Sequence, residues 1–219
     1  NLIDPNLANS FKNKSPERKA ILLTDYMVKN GITYYDESVT QLEHALQAGN
    51  LARNAGADAF LTSAALLHDI GHFLDEDNMN GLGVIEHGKV GANFLRELGM
   101  NEKVCCLVEN HVLAKKYLVS KNKDYYDKLS SPSKKTLEYQ GGKMTKSEME
   151  VFEKNPDFEN SLKVRMYDDI GKQVGMDIPK LESFYDLIEK YLVIPYVPNL
   201  KSYQENLKND GFLLLKNFF

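Results

Sequence analysis

Apolar residues recur at helical spacing through most of the first 192 positions, and no alternating, strand-like run of useful length interrupts them. Ser15-Pro16 supplies a hydroxyl cap followed by proline at the first helical position, and Ile21, Leu22 and Met27 carry that helix toward Gly31. The polar stretch before it, Asn1 to Ser15, is expected to be a loosely held arm. Next, a stripe of Ala48, Leu51 and Ala52 includes His44. The run Ala64-Ala65-Leu66-Leu67 reads as buried helix that delivers His68, Asp69 and His72 and ends at Gly71. Two further stripes follow, one aligning His87 with Val90, Gly91, Phe94 and Leu98, the other aligning His111 with Val104, Leu107 and Val108. Between the second and third histidine helices, Phe73 to Ile85 is rich in Asp, Asn and Gly and suits a surface loop overhanging a site. Ser131-Pro132-Ser133 starts another helix, Asn155-Pro156 the next, and Ile178-Pro179 a last one through Phe184, Leu187, Ile188 and Leu192. The pattern predicts an all-α fold: one compact helical bundle over residues 1–192.

Beyond residue 192 the pattern changes. Pro195 and Pro198 stiffen residues 193–200 into a linker, and residues 201–219 form a C-terminal extension. The extension holds a turn at Asn209-Asp210-Gly211 and the apolar run Phe212 to Leu215. That run is too apolar for water and too short to make a core. Either it folds back on the bundle as an anchor, or it opens a second domain.

Charge narrows the function. A formal net charge of −4 argues against a general nucleic-acid binder. No apolar run has membrane-spanning length and no signal-peptide pattern is present, so a cytoplasmic protein that avoids membranes is expected. Cys105 and Cys106 are adjacent on a helix and poorly placed to bridge each other, which suits a reducing compartment. From Lys115 to Lys146 there are nine lysines against Asp124, Asp127 and Glu138. Most of these lysines read as a solvated face, and together they favour entry of a small anion.

The histidines carry the candidate chemistry. The chain has only five, and those on apolar stripes each need a buried partner. One inward histidine is commonly an inert core residue. Several beside a His-Asp pair are hard to explain that way, whereas a shared metal centre satisfies them together. Adjacent side chains on a helix sit about 100° apart, so His68 can bind one ion while Asp69 bridges to a second. Imidazole-rich sites suit Fe, Zn, Ni or Cu better than Mg or Ca. Lys115 lies one turn after His111; it either snorkels to solvent or, if buried, requires an anion. Arg165, Asp168 and Lys172 fall on one side of a helix, as a plain ion-pair stripe or as an anion-binding set around a metal carboxylate.

The order His44, His68-Asp69 and a distant Asp168 resembles the HD-domain superfamily, and the added His87 and His111 resemble its dinuclear members. A longer match comprises Gln41-Leu42-Glu43-His44-Ala45-Leu46-Gln47, the stretch Ala64 to His72, His111-Val112-Leu113-Ala114-Lys115, and Lys135 to Gly142. It is similar to the HD-domain mixed-valent diiron oxygenases that cleave carbon–phosphorus bonds, typified by 2-amino-1-hydroxyethylphosphonate dioxygenase (glycine-forming). The resemblance covers about Thr33 to Val193. It implies two iron ions, Fe(II)/Fe(III), with O2 as co-substrate and a small 1-hydroxyalkylphosphonate as substrate. The products would be phosphate and a carboxylic acid, glycine where the substrate carries a 2-amino group. The implied first ion takes His44, His68, Asp69 and Asp168; the second takes Asp69, His87 and His111. Tyr34 and Glu37 match a gating pair over the open iron position, and His72 a group near the oxygen species. Ser133, Thr136 and Gln140 match the family's substrate-binding patch, and beside them Lys115, Arg165 and Lys172 are the cations expected to hold the phosphonate.

Two other readings remain open at this point. An HD-superfamily phosphohydrolase would use a metal-bound hydroxide, although many dinuclear hydrolytic relatives carry Lys where this chain has His72. A non-catalytic HD binding or regulatory module is the other. Finally, the helix, Asp-Gly turn and apolar run of the extension resemble the opening of iron(II)/2-oxoglutarate dioxygenases of the phytanoyl-CoA hydroxylase type. That resemblance implies a fused partner domain after residue 219.

Overall fold

The computed structural model describes residues 5–34, 38–74, 81 and 83–192. The linker and extension at 193–219 lie outside the described residues. Within them the chain is all α-helix and turn, as its apolar period predicts, with a single isolated antiparallel bridge between Met100 and Leu192. No helix among the described residues is long and apolar enough to cross a membrane.

Helix α4 (Ala59–Leu67) is the hub. Its residues from Leu61 to Leu67 are buried, because it is apolar on every face and has no side to give to water. Around it pack α3 (Gln41–Asn54), α6 (Glu102–Lys121) and α10 (Phe158–Ile170). Helix α5 (His87–Leu98) lies against α6, and α2 (Pro16–Asn30) against the final helix, α11 (Tyr185–Tyr191). Local chemistry sets the starts. Ser15 caps α2, Asp58 caps α4 and Asn101 caps α6, while Thr40 and Glu43 form a reciprocal capping box on α3.

Four elements depart from expectation. The N-terminal arm contains a helix, α1 (Pro5–Phe11), anchored by Phe11, which is buried edge-on against Phe94 with ring centroids 5.7 Å apart. One aromatic in a polar stretch has no periodic signal, yet it suffices to dock the segment. The hub helix ends at Leu67 rather than Gly71, and Ile70–Phe73 forms a separate 3-10 turn. Gly71 is a packing glycine instead of a cap. A methyl group there would overlap the backbone carbonyl of His87, and one on Gly91 would crowd the Gly71 nitrogen. The helix expected from Asn155-Pro156 begins at Phe158, because the Asn155 side chain accepts from the Asp157 N–H and makes a turn first. The last helix opens through a 3-10 turn, Leu181–Phe184, before α11.

Short helices α7 (Lys123–Lys128), α8 (Ser131–Tyr139) and α9 (Lys146–Glu153) form a flank over α6. Of these, α8 gives Pro132, Ser133 and Thr136 to one wall of a cavity, and of the lysine-rich stretch only Lys115 of α6 lines it. Gly141 and Gly142, both at positive φ, end α8 as the sequence suggests.

Candidate metal centre and anion cleft

The six expected ligands come from five elements and meet in one place. His44 sits one turn into α3, where the capping box fixes the entry of the helix: Glu43 N–H donates to Thr40 Oγ1 at 3.2 Å, and Thr40 N–H to Glu43 Oε2 at 2.7 Å. His68 closes α4, and Asp69 follows with φ −100° and ψ 11°, out of the helical path. The kink decides which way its carboxylate points. His87 opens α5, His111 lies midway along α6 and Asp168 lies in the last turn of α10.

The ring orientations are all of one kind. Nδ1 of each imidazole faces a backbone carbonyl: Gly171 for His44 (2.8 Å), Ala65 for His68 (2.8 Å), Val84 for His87 (2.9 Å) and Val108 for His111 (2.6 Å). Each ring therefore donates from Nδ1 and presents a bare Nε2 lone pair inward. These lone pairs face each other in two couples, His44 with His68 at 3.1 Å and His87 with His111 at 3.0 Å. Two acceptors at that distance repel unless a proton or a cation lies between them. Asp69 spans both couples, with Oδ2 3.3 Å from His44 and His68 Nε2, and Oδ1 3.4 and 3.5 Å from His87 and His111 Nε2. Asp168 Oδ1 completes the first group at 3.4 Å from His44. His44, His68 and Asp168 thus form one set of convergent donors, and Asp69, His87 and His111 a second. The donor set fits two transition-metal ions bridged by a carboxylate.

Electrostatics agree with a cation-binding site. Burial opposes charge on His44, but Asp168 and Asp69 outweigh it and raise its pKa to about 9; a bound metal would take that proton's place. Burial also opposes charge on both carboxylates. The neighbouring imidazoles hold Asp69, and Arg165 and Lys172 hold Asp168, well below the usual carboxylate range. His72 differs. It stacks on His87 with centroids 4.0 Å apart, and its Nδ1 accepts the Val84 N–H at 3.0 Å. The proton of its neutral ring is thereby placed on Nε2, while burial drives its pKa down to about 4.

Next to the metal groups lies a cavity of about 60 Å³, lined on one side by Lys115, Ser133, Thr136, Arg165 and Lys172. Lys115 is buried and donates to Thr136 Oγ1 at 2.9 Å. It does not snorkel to solvent; burial, helped by Arg165, lowers its pKa to about 7. Helix α10 ends at Ile170, so Lys172 is not on the expected helical stripe. It reaches the same place from beyond Gly171, with Nζ 3.4 Å from both Asp168 Oδ1 and Ser133 Oγ. Arg165 is already engaged. It donates to Asp168 Oδ2 (2.7 Å), to Asp169 and to the Tyr125 hydroxyl (3.0 Å).

Not every expected site residue is brought together. Tyr34 is 56% exposed, and Glu37 lies outside the described residues. Gln140 caps the end of α8 and lines a separate cavity with Lys116 and Tyr139. Conversely, Gln41 and Pro132 line the metal-side cavity, and Tyr125 and Asp169 hold Arg165, although none is among the expected site residues. Gln41 was findable, since it precedes His44 by one turn on the same face. Tyr125 sits in α7 with no periodic signal, and only the packing brings it to Arg165.

Fold and site together define a helical bundle built around a carboxylate-bridged His/Asp centre. The HD domain family matches residues 42–151. The chain is 41% identical over 183 residues to the hydroxymethylphosphonate dioxygenase of Gimesia maris, covering 82% of this chain and 90% of that one. It is 36% identical over 160 residues, 72% of this chain and 81% of the relative, to the [1-hydroxy-2-(trimethylamino)ethyl]phosphonate dioxygenase (glycine-betaine-forming) of Leisingera caerulea. An uncharacterized protein, L432 of Acanthamoeba polyphaga mimivirus, is 40% identical over 166 residues, 74% of this chain and 76% of its own. The chain belongs to the HD-domain family, in the branch that contains these phosphonate dioxygenases.

Proposed function

We propose that this protein is a diiron oxygenase that cleaves the carbon–phosphorus bond of a small 1-hydroxyalkylphosphonate. The net reaction converts the phosphonate and O2 to phosphate and a carboxylic acid. The observation that carries this reading is the pairing of a carboxylate-bridged double His/Asp centre with a buried cationic wall. Kinship with two relatives named as phosphonate dioxygenases supports it. In this reading His44, His68, Asp69 and Asp168 hold one iron and Asp69, His87 and His111 the other, as a mixed-valent Fe(II)/Fe(III) pair. The irons, when bound, would supply activation of O2 and a Lewis-acid anchor for the substrate's oxygens.

The chain's own residues bind and orient. Lys115 and Lys172 face the phosphonate as ammonium groups, and the hydroxyls of Ser133 and Thr136 complete the anion cradle near the start of α8. Arg165 acts twice in this proposal: it clamps Asp168, and its remaining N–H groups aim at a phosphonate oxygen. His72 holds its proton on Nε2, where it donates to an oxygen atom at the metal side and does not serve as a base near neutral pH. Tyr34 and Glu37 as a gate belong to the same proposal, and Gln140 as a phosphonate ligand would need the end of α8 to move toward the metal-side cavity. A cytoplasmic setting belongs to the same proposal and agrees with two free cysteines, as does a fused iron/2-oxoglutarate domain encoded beyond residue 219.

The test is phosphate release from hydroxymethylphosphonate and 2-amino-1-hydroxyethylphosphonate by iron-loaded protein, with and without O2. Phosphate that depends on O2 is expected. Equal release without O2 would replace the oxygenase with a phosphohydrolase.

A further inference from the structure

Gln41 carries a polar atom that the protein itself leaves unused. It is the first residue of α3, its backbone N–H is bound by Thr33 O at 2.8 Å, and the residue is 4% exposed. Its side chain lines the cavity beside the metal groups, yet Oε1 is buried without a hydrogen-bond partner. Leaving a buried amide oxygen unpaired is costly, and such a cost persists where a ligand supplies the missing partner. The rest of the lining sharpens the point. Lys115, Arg165, Lys172, Ser133 and Thr136 all offer donors, and the carboxylates of Asp69 and Asp168 face the metal groups. The hydroxyl oxygens of Ser133 and Thr136 already accept from Lys172 and Lys115, so among the described lining residues Gln41 Oε1 is the neutral acceptor that is buried with no partner.

We infer that Gln41 is a specificity-determining residue, whose Oε1 accepts a hydrogen bond from a donor on the carbon end of the substrate. The cationic wall takes the phosphonate end, so the substrate lies with its charge toward α8 and its organic part toward the start of α3. Two substrate groups carry the required donor, the C1 hydroxyl and a C2 ammonium. A quaternary trimethylammonium carries none.

This inference rests on the phosphonate reading, and one experiment separates their failures. Gln41→Leu and Gln41→Glu proteins are loaded with iron and compared with the wild type on three substrates: hydroxymethylphosphonate, 2-amino-1-hydroxyethylphosphonate and its N-trimethyl analogue. Thermal stability and iron content are measured alongside. Loss of one ligand hydrogen bond should raise KM roughly tenfold in Gln41→Leu. An equal rise for all three substrates assigns the contact to the C1 hydroxyl; a rise confined to the amino substrate, with improvement in Gln41→Glu, assigns it to the ammonium. Because Oε1 has no partner in the free protein, Gln41→Leu should melt no lower than the wild type and keep its iron. An unchanged KM on every substrate, or a lowered melting temperature with lost iron, overturns the inference. A wild type that turns over none of the three overturns the phosphonate reading instead.

Discussion

Asp69 is the residue on which both donor groups depend, since each of its oxygens lies 3.3 to 3.5 Å from a pair of imidazole nitrogens. Replacing it by Ala should strip most of both metals if, as proposed, this one carboxylate serves two ions. Iron per chain, measured by mass spectrometry on folded protein, checks this; near-stoichiometric iron would refute the bridge. Lys115 allows a second prediction. Its folded pKa is lowered to about 7 while the unfolded value stays near 10.5. Between those values the unfolded chain binds the extra proton, so this group makes stability rise with pH across that window, and below about 7 its cost is fully present. Lys115→Met should therefore stabilise the metal-free protein most at neutral and lower pH, the gain shrinking toward pH 10, while phosphonate binding weakens. Melting curves of both proteins from pH 6 to 10 read this directly, and a gain that grows with pH would contradict it. Residues of this kind were legible as chemistry, because inward histidines at helical spacing advertise a shared partner. Tyr125 and Asp169 were not, since an ordinary phenol or carboxylate becomes informative only beside its neighbours.

At the scale of elements, the junction between α4 and the 3-10 turn matters most. Ending α4 at Leu67 lets Asp69 swing its carboxylate between the two histidine couples, and the glycine pair Gly71 and Gly91 lets the turn lie directly on α5. Gly71→Ala should thus disturb His87 and His68 together. Overpacking of this kind costs about 1–3 kcal/mol, and the backbone carbonyl it meets cannot rotate away. Chemical denaturation should show that loss, with reduced iron retention; a variant as stable as the wild type would mean the contact relaxes freely. Helix starts were readable where a cap and a proline coincide, as at Ser15-Pro16 and at Pro132. Boundaries were misplaced where a side chain bonds its own backbone, as at Asn155, or where a glycine serves packing rather than termination.

At the scale of the molecule, the two donor groups draw together side chains from α3, α4, α5, α6 and α10, and in the proposed function the ions held there would fasten these helices to one another. Ligands that bind only the folded state stabilise it by mass action. Removing iron with a chelator should lower the melting temperature by several degrees, and restoring it should bring the temperature back. A melting temperature indifferent to chelation would show that the bundle core, with α4 at its hub, supplies essentially all of the stability.

By itself the sequence determined the all-α architecture, the six metal-competent side chains and the cationic character of one wall. These follow from period and residue type, which are properties of short stretches. The sharing of the six between two groups was implied by the family resemblance; tertiary structure supplied its geometry, since the kink after α4 sets the two oxygens of Asp69 against the two histidine couples. It also decided that Tyr125 joins Asp168 and Asp169 in holding Arg165, that Lys172 enters from beyond the helix end, and that Gln41 is left with an unpaired oxygen. Tyr125 and Arg165 are 40 positions apart, Ser133 and Lys172 39, and His44 meets the Gly171 carbonyl at 2.8 Å across 127. Spacing along the chain does not encode such distances; the packing of α3, α6 and α10 around α4, and of α5 against α6, does.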